Sequence, residues 1–476
     1  MNLLKTFSKY AVGSLLSLII GFASTMILTR LFSTEEMGKY SMYAMVGGLI
    51  ASIVYLGLDQ SYVRFYFEEQ EEARTSLLVR CLMIPLLLTA VVSAVLLMAN
   101  GLFSDYIIGE ESVVLVLLFA VYIFALTTNR FMLLKIRMAQ KAVAYSALGI
   151  INKSFYLLLA ILLYYMVFTG KSWALIIAAT AAEMVMLSAA FFTERKTFTG
   201  RRREAASSSK QLLKYGIPFL FATTITILFE SADKIMLKAL TDYDEIGLYT
   251  GAQSIVNLVA QVQTVFSTFW LPVAFEHFNK DPEDTEFYVR VNKIVSYVML
   301  VIFVIVLAAK DIIIYFLGPD YRGASFIFPF LAFMPVMYTV SETTVLGINF
   351  KKKTGYHVWI SLACVAANMI GNFILITHFG ATGAAISTGF AYVLFFVLRT
   401  ILAGRVYPVR FALGRFAVCS ALVAVMAGFA SFYSVHWWYL ILAAGVLSII
   451  TFLYRDVVTF GFRGFQKKFK KNEKSC

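Results

Sequence analysis

The chain has 476 residues, of which 60% are hydrophobic and only 14% are charged. Soluble domains typically contain roughly 45–50% apolar and about 25% charged residues, so this composition excludes an ordinary soluble protein and indicates a polytopic membrane protein. The formal net charge of +13 does not call for a nucleic-acid partner, because the basic residues lie between apolar stretches and read as topology signals.

Fourteen apolar stretches are long enough to cross a bilayer, which takes about 20 residues each. The first follows Lys5 and Lys9 and is predicted to stay as a membrane helix, because it is too long for the apolar region of a cleaved signal. All connecting loops are short, so no folded domain is expected outside the membrane. The predicted spans are 11–30, 39–58, 77–99, 113–132, 146–168, 172–193, 212–238, 246–276, 291–316, 325–349, 356–378, 383–404, 411–432 and 436–455.

The charge pattern supports this count of spans. With the N-terminus in the cytoplasm, most of the 41 Lys and Arg residues fall on the inner side or at inner span ends, as the positive-inside rule expects. One miscounted span would reverse the side of every later loop and remove the bias. Both termini are therefore predicted to be cytoplasmic.

Two short motifs recur at nearly one offset. Gly38 and Tyr40 recur 209 residues later as Gly247 and Tyr249, and Gly170 recurs 210 residues later as Gly380. Each half holds six spans, an even number, so the halves have the same orientation and form a parallel repeat about the membrane normal. The last two spans lie outside this repeat.

The predicted fold is an all-α polytopic membrane protein with 14 transmembrane helices. Two six-helix lobes, joined by a basic cytoplasmic linker, are followed by two additional helices and a basic cytoplasmic tail. The predicted bounds of these parts are 1–193, 194–211, 212–404, 405–455 and 456–476.

Ionisable side chains inside the predicted spans are the first functional candidates, because they are costly in hydrocarbon. Glu230, Asp233 and Lys234 share one helical face. Glu230 and Lys234 form a self-contained pair in one interpretation; in the other, Asp233 pairs with the first half and Lys234 faces an anionic substrate. Glu183 is either a proton- or cation-coupling carboxylate or the structural partner of a basic group on a neighbouring helix.

Three further cations each have two interpretations. Arg30, Lys153 and Arg64 either have a functional role or have ordinary membrane roles: Arg30 and Lys153 reach the interface along their own stems, and Arg64 acts as a positive-inside residue. Glu342, Asn257, Asn368 and Asn372 are other polar groups within spans.

No enzyme or metal chemistry is visible in the sequence. The four cysteines and four histidines lack metal-ligand or disulfide spacing. No Gly-rich phosphate-binding loop is followed by a lysine, so no ATPase motor is expected. The sequence predicts no cofactor and no catalytic residue.

Several motifs, in order and spacing, resemble the Wzx-type polysaccharide and lipid-linked oligosaccharide flippases of the multidrug/oligosaccharidyl-lipid/polysaccharide exporter superfamily. Almost the whole chain takes part in this resemblance, and the extra helix pair resembles its fourteen-span branch. The matching pieces are TRLFSTEEMGKYS (29–41), LGLDQSYVRFYF (56–67), ADKIMLKALTDYDEIGLYTGA (232–252), FWLPVAFEHF (269–278), LGPDYRGA (317–324), KKKTGY (351–356) and NMIGNFILITHFGATGAAISTGFAYV (368–393).

The resemblance implies two lobes around a V-shaped cavity. It also implies transfer of an undecaprenyl-pyrophosphate-linked sugar unit from the inner to the outer leaflet by alternating access, coupled to a proton or sodium gradient. Family cavities are typically cationic, which makes Arg30, Arg64, Lys153 and Lys234 the substrate-binding candidates. Glu183, Glu230 and Asp233 are the candidates for ion coupling.

The same resemblance sets expectations for partners and location. Besides the lipid-linked oligosaccharide and membrane lipids, a polysaccharide polymerase and glycosyltransferases are expected partners, and nucleic acid is not. The expected state is a monomer in the bacterial cytoplasmic membrane. Two alternatives stay open: a multidrug-cation antiporter of the same superfamily, and a membrane polysaccharide polymerase or ligase.

Overall fold

The computed structural model describes residues 3–199, 203–353, 355–434 and 437–459. These residues form helices joined by short loops, and no strand occurs among them. A helix satisfies its backbone hydrogen bonds internally, which a segment in hydrocarbon requires. The protein is an all-α polytopic membrane protein, and this prediction from the composition is confirmed.

Eighteen α-helices follow one another in the described residues, with two short 3-10 turns between them. The helices up to the linker are α1 (Leu3–Leu31), α2 (Thr34–Val54), α3 (Leu58–Phe65), α4 (Arg74–Met98), α5 (Asn100–Ile108), α6 (Val113–Met138), α7 (Ala142–Met166) and α8 (Ser172–Thr199). Those after it are α9 (Ser209–Leu240), α10 (Tyr243–Lys280), α11 (Thr285–Ala308), α12 (Lys310–Tyr315), α13 (Ala324–Leu331), α14 (Phe333–Thr344), α15 (Leu346–Phe350), α16 (Gly355–Val406), α17 (Leu413–Phe432) and α18 (Trp437–Leu453).

Helix starts follow local sequence signals. The Ser33 hydroxyl accepts a bond from the Glu36 N–H and caps α2, whose first turn also carries Glu35. Ser208 caps α9 in the same way through the N–H of Gln211. A side-chain oxygen satisfies one of the free N–H groups of the first turn, and acidic residues there complement the helix dipole.

The number of membrane spans stays a prediction. Among the described residues, ten helices are long and apolar enough to cross a membrane, or eleven if α2 and α3, bent by 56° at their junction, form one span. Two further apolar helices are shorter, 16–31 within α1 and α18. Helix α16 contains a break at Gly380 that separates two helical limbs. Each of the fourteen predicted spans overlaps one of these helices or limbs.

The described helices belong to two compact units, the first comprising residues up to Thr250 together with Leu317–Asp320. In this first unit α6 packs against α2, α4 and α8, and α9 packs against α2 and α3. Tyr62 and Phe131 are fully buried in one cluster of its core. The first unit thus brings helices from both sides of the linker into contact.

The second unit comprises Gly251–Phe316 and the residues from Tyr321 onward. Its α14 packs along α16, and the added helices α17 and α18 pack against α11. Lys310 is fully buried and donates bonds to the carbonyl oxygens of Ala430 at 2.6 Å and Tyr433 at 2.9 Å. This lysine attaches the end of α17 to the rest of the unit.

The second repeated motif has the same backbone feature in both copies. Gly170 has φ = +72° and Gly380 has φ = +53°, a region that favours glycine. Gly170 lies between α7 and α8, whereas Gly380 lies at the break within α16. The two limbs of α16 therefore correspond to α7 and α8. The predicted lobe boundary at 194–211 is based on this repeat. The division into two compact units does not test that boundary, which stays a prediction.

Candidate functional site

Helices α2 and α10 cross with their backbones in contact where the first repeated motif occurs twice. A Cβ atom added to Gly38 would lie 2.0 Å from the carbonyl oxygen of Tyr243, and one added to Gly247 would lie 1.9 Å from that of Thr34. Thr34 and Tyr243 have the same 209-residue separation as the two glycines. The two copies of the motif therefore pack against each other reciprocally, and any side chain at either glycine would collide with backbone.

A chain of polar side chains follows from this crossing. Ser41 and Thr250, a further pair at the same offset, share a hydrogen bond of 2.8 Å between their hydroxyl oxygens. The ammonium of Lys234 on α9 donates a bond of 2.8 Å to the Ser41 hydroxyl. Among the described residues, no carboxylate oxygen lies within 4.0 Å of Lys234 Nζ. An ammonium has three donors, so Lys234 has capacity for an anion.

The two acidic neighbours of Lys234 are directed elsewhere. Asp233 is 3% exposed and accepts a hydrogen bond from the Tyr249 hydroxyl. Glu230 is exposed and forms no ion pair with Lys234 in the part of the chain that the structure describes. The self-contained Glu230–Lys234 pair is therefore absent, and no carboxylate among the described residues of α9 contacts the Lys234 ammonium.

Glu183 is held by two amides rather than by a basic group. Asn129 Nδ2 donates to Glu183 Oε2 at 2.8 Å, and Asn152 Nδ2 donates to Oε1 at 3.0 Å. Asn129 Nδ2 also bonds to the Glu183 carbonyl oxygen at 2.8 Å. The side-chain oxygen Oδ1 of Asn129 is buried and has no hydrogen-bond partner among the described residues. The helices α6, α7 and α8 thus assemble a cluster of carboxylate and amide oxygens, and no basic group among the described residues forms an ion pair with Glu183.

The other three predicted cations are separate from Lys234. Arg30 is exposed in the last turn of α1 and bonds to the carbonyl oxygen of Met26 at 2.8 Å. Arg64 pairs with Glu68, which lies in the turn after its short helix α3, and its side chain is 54% exposed. Lys153 is half-buried and bonds to the carbonyl oxygen of Ser17 at 2.8 Å. These contacts do not test whether Arg30, Arg64 and Lys153 bind substrate, and the three assignments stay predictions.

The ion pairs between helices that sequence reasoning missed include one that involves Arg130 and one that involves Arg399. Arg130 on α6 bonds to Asp59 on α3 at 2.7 Å. In the second unit Arg399 on α16 bonds to Glu342 on α14 at 2.8 Å, with both side chains buried or nearly so. Asp59 falls one residue outside a predicted span and Arg130 two residues inside the end of another. Both therefore read as interfacial charges, and no local signal connected them.

No metal centre is formed by the described residues. Nowhere among them do three or more His, Cys, Asp or Glu side chains come together in a group that could hold a metal ion. The three described cysteines, Cys81, Cys364 and Cys419, are buried and unpaired with one another.

Solved structures similar to this chain are membrane transporters. A lipid II flippase MurJ in an inward closed conformation matches with a TM-score of 0.72 over 96% of this chain and 99% of that chain, at 13% identity. An inward-facing multidrug resistance MATE family transporter of the MOP superfamily has a TM-score of 0.56 and 15% identity, over 82% and 94% of the two chains. A MATE structure in the straight conformation has a TM-score of 0.55 and 16% identity, over 84% and 94%. At these identities the likeness concerns the fold alone.

The family to which this chain belongs is identified by its sequence. No curated protein sequence matches this chain. The signature of the family described as polysaccharide biosynthesis protein, however, matches residues 3–278. This stretch is more than half of the 476 residues and contains both copies of the motif at the crossing of α2 and α10. The chain therefore belongs to the polysaccharide biosynthesis protein family, with the fold of a multi-pass membrane transporter.

Proposed function

We propose that this protein is a flippase that moves an undecaprenyl-pyrophosphate-linked oligosaccharide from the inner to the outer leaflet of the bacterial cytoplasmic membrane. The product supplies surface polysaccharide biosynthesis. The observation that carries the proposal is Lys234, a cation inside an apolar helix whose bonding partner is a hydroxyl group rather than a carboxylate. Family membership supports the polysaccharide pathway.

The physical task explains why such a cation is needed. A pyrophosphate head group cannot cross about 30 Å of hydrocarbon without replacement of its water. Charge-assisted hydrogen bonds from Lys or Arg can replace that water, while the lipid tail stays in the bilayer. Lys234 supplies donors for this purpose, and Ser41 fixes the direction of its ammonium. Arg30, Arg64 and Lys153 are proposed as further contacts for the head group.

Movement between the two leaflets is proposed to occur by alternating access, driven by a proton or sodium gradient. Glu183 is the proposed coupling carboxylate, because its two amide neighbours add oxygen and N–H groups without adding a positive charge. Asp233 and Glu230 are the secondary candidates for this role. The protein works as a transporter rather than an enzyme, as a monomer with cytoplasmic termini, beside a polymerase and glycosyltransferases.

A multidrug-cation antiporter is the alternative function, because a multidrug resistance MATE family transporter has a fold similar to that of this chain. A cationic drug favours an acidic cavity, whereas Lys234 has no carboxylate within 4.0 Å among the residues described. Efflux of a cationic dye from cells that express the protein, with no effect on surface polysaccharide, would favour the antiporter. A membrane polymerase or ligase is disfavoured by the short loops.

The proposal is tested by Lys234→Ala in cells that depend on this protein for surface polysaccharide. We expect export to fall at least tenfold, because loss of one charge-assisted hydrogen bond costs about 1.5–3 kcal/mol. Export is measured as surface polysaccharide per cell, and the amount of protein in the membrane is measured in parallel.

Lys280→Ala is the matched control. The Lys280 side chain is 71% exposed and pairs with Glu276 on its own helix, so its removal should leave export unchanged. Wild-type export by Lys234→Ala at normal protein levels would overturn the role of Lys234 and the proposal that rests on it.

A further inference from the structure

Arg130 on α6 and Asp59 on α3 form an ion pair with an exposed and a buried end. The Asp59 Oδ2 atom accepts bonds from Arg130 Nε at 3.2 Å and Nη2 at 2.7 Å, and from Gln60 Nε2 at 3.0 Å. The Asp59 side chain is 7% exposed, whereas that of Arg130 is 43% exposed. The carboxylate is fixed inside the protein, and it holds the guanidinium at the protein's edge.

One edge of the guanidinium is occupied and the other is open. Arginine has five N–H donors in a planar fork, and Asp59 takes one on Nε and one on Nη2. Within the described residues, Nη1 has no hydrogen-bond acceptor. The second N–H of Nη2 and those of Nη1 therefore form a pre-oriented fork, which suits the paired oxygens of a phosphate group.

Arg130 does not face the acyl chains. The exposed apolar residues of α6 form a stripe that includes Leu117, Val121 and Phe124, and such a stripe faces lipid in a membrane protein. Val121 lies nine residues before Arg130, which at 3.6 residues per turn is about 180° around the helix. Arg130 is thus exposed on the opposite side of the helix, where a charged side chain requires an aqueous surface.

The depth of Arg130 differs from that of Lys234. Arg130 lies eight residues before the end of α6 at Met138, or about 12 Å along the helix, and this end is cytoplasmic in the predicted topology. Lys234 lies six residues before Leu240, about 9 Å from the opposite, outer end of α9. The two cations therefore lie toward opposite faces of the membrane.

We propose that Arg130, positioned by Asp59, binds the pyrophosphate group of the lipid-linked cargo at the inner side of the membrane. In this proposal the pyrophosphate contacts Arg130 first and Lys234 afterwards. This assignment rests on the proposed flippase function and adds to it a specific entry contact. Because Asp59 and Arg130 are together neutral, recognition depends on directed hydrogen bonds from the open fork rather than on net charge. Asp59 is a positioning residue in this arrangement.

The test measures binding of farnesyl pyrophosphate, a short-chain carrier of the same head group, to the purified full-length protein. Intrinsic fluorescence gives the dissociation constant, and farnesol serves as the probe without a head group. We expect Arg130→Gln to weaken binding of farnesyl pyrophosphate at least tenfold and to leave farnesol binding unchanged. Arg130→Lys, which keeps the charge but loses the planar fork, should be intermediate.

Matched variants separate binding from structure. Arg137→Gln removes another exposed arginine of the same helix and should bind like wild type. The double variant Asp59→Asn with Arg130→Gln removes both charges, so it leaves no unpaired buried carboxylate. We expect the double variant to have a melting temperature close to that of wild type. Its affinity for farnesyl pyrophosphate should nevertheless be as weak as that of Arg130→Gln. Wild-type affinity in the double variant would mean that the pair is only structural and would overturn the inference.

The remaining outcomes distinguish the two proposals. Weakened binding in Lys234→Ala with unchanged binding in Arg130→Gln would overturn the role of Arg130 and leave the flippase function standing. Failure of the wild-type protein to bind farnesyl pyrophosphate would count against the flippase function itself. Full competition by phosphatidylglycerol vesicles would show a general phospholipid site and overturn the assignment of Arg130 to the cargo.

Discussion

Buried cations in this protein differ in what compensates their charge. Arg399 pairs with Glu342 at 2.8 Å, and Lys310 donates to two carbonyl oxygens at the end of α17. Lys234 contacts the hydroxyl of Ser41 instead. A buried cation that no carboxylate contacts is costly in an apolar environment, so its retention favours a functional over a structural role.

The coupling role of Glu183 is tested by Glu183→Gln. Glutamine keeps the size and one acceptor oxygen for Asn129 and Asn152, but it cannot release a proton or carry a negative charge. We expect transport that no longer responds to an imposed proton or sodium gradient, measured as flipping of a fluorescent lipid-linked sugar in proteoliposomes.

Glu286→Gln is the control for this measurement, since the Glu286 side chain is 80% exposed at the start of α11. Its response to the gradient should match that of wild type. A Glu183→Gln protein that keeps the wild-type response to both gradients would contradict the coupling role.

At the level of elements, the crossing of α2 and α10 depends on two glycines. Backbone oxygens lie 2.0 and 1.9 Å from the positions where their Cβ atoms would be, so the helices approach more closely than side chains permit. Small residues allow such approach between membrane helices, where dispersion contacts and hydrogen bonds replace the hydrophobic driving force. The bonds of Ser41 and Lys234 depend on this approach, and the crossing therefore positions the proposed anion site.

Alanine at Gly38 or Gly247 should push α2 and α10 apart. The added Cβ would lie 2.0 or 1.9 Å from a carbonyl oxygen, and overpacking of this kind typically costs about 1–3 kcal/mol. We expect a lower melting temperature and slower oxidative formation of a disulfide between cysteines introduced as Ser41→Cys and Thr250→Cys.

Gly48 on the same helix provides the control for the two alanine variants. A Cβ atom there would have nothing within 4 Å, so Gly48→Ala should change neither the melting temperature nor the cross-linking rate. If Gly247→Ala cross-linked as fast as the parent protein, the close crossing would not depend on glycine.

At the scale of the whole molecule, the second part of the linker is docked rather than extended. The Glu69 carboxylate accepts bonds from the N–H groups of Ala206 at 3.0 Å and Ser207 at 2.8 Å. Arg80 donates to the carbonyl oxygens of Ala205 and Ser207. The connection to α9 therefore starts from a fixed point on the first unit.

This docking depends on the charge of Glu69. Burial raises the pKa of Glu69. The hydrogen bonds from Ala206 and Ser207, together with the nearby Arg80, lower it by a larger amount, so the pKa lies below its ordinary value. A carboxylate with a lowered pKa stabilises the folded state above its ordinary pKa of about 4.3, and this contribution is lost as the pH falls through the lowered value. We expect Glu69→Gln at neutral pH to increase hydrogen exchange in 203–208, and wild type to show the same increase only below about pH 4 after correction for intrinsic rates.

Glu72→Gln is the control for the linker, because the Glu72 side chain is exposed and its contact with Arg203 uses the backbone carbonyl oxygen. Its exchange in 203–208 should equal that of wild type. Equal exchange in Glu69→Gln and Glu72→Gln would mean that the Glu69 carboxylate does not hold the linker.

The helical membrane fold was predictable because its causes are local. A span needs a long apolar stretch, and every such stretch in the sequence overlaps an observed helix or limb. Lys234 and Glu183 were found as candidates for the same reason, since a charge within an apolar stretch is visible in one dimension. Asn129 and Asn152 were missed as partners of Glu183, because neutral amides are common in membrane helices and carry little signal.

By itself, the sequence determined the membrane class and the helix positions, both of which depend on hydropathy and on residues close in the chain. The tertiary structure alone decided that the copies at Gly38 and Gly247 pack against each other, that Glu230 forms no ion pair with Lys234, and that Asp59 holds Arg130. These outcomes depend on which helix faces meet. That choice is made by packing between segments that lie far apart in the chain, 209 residues in the case of Ser41 and Thr250, and no periodicity along the chain encodes it.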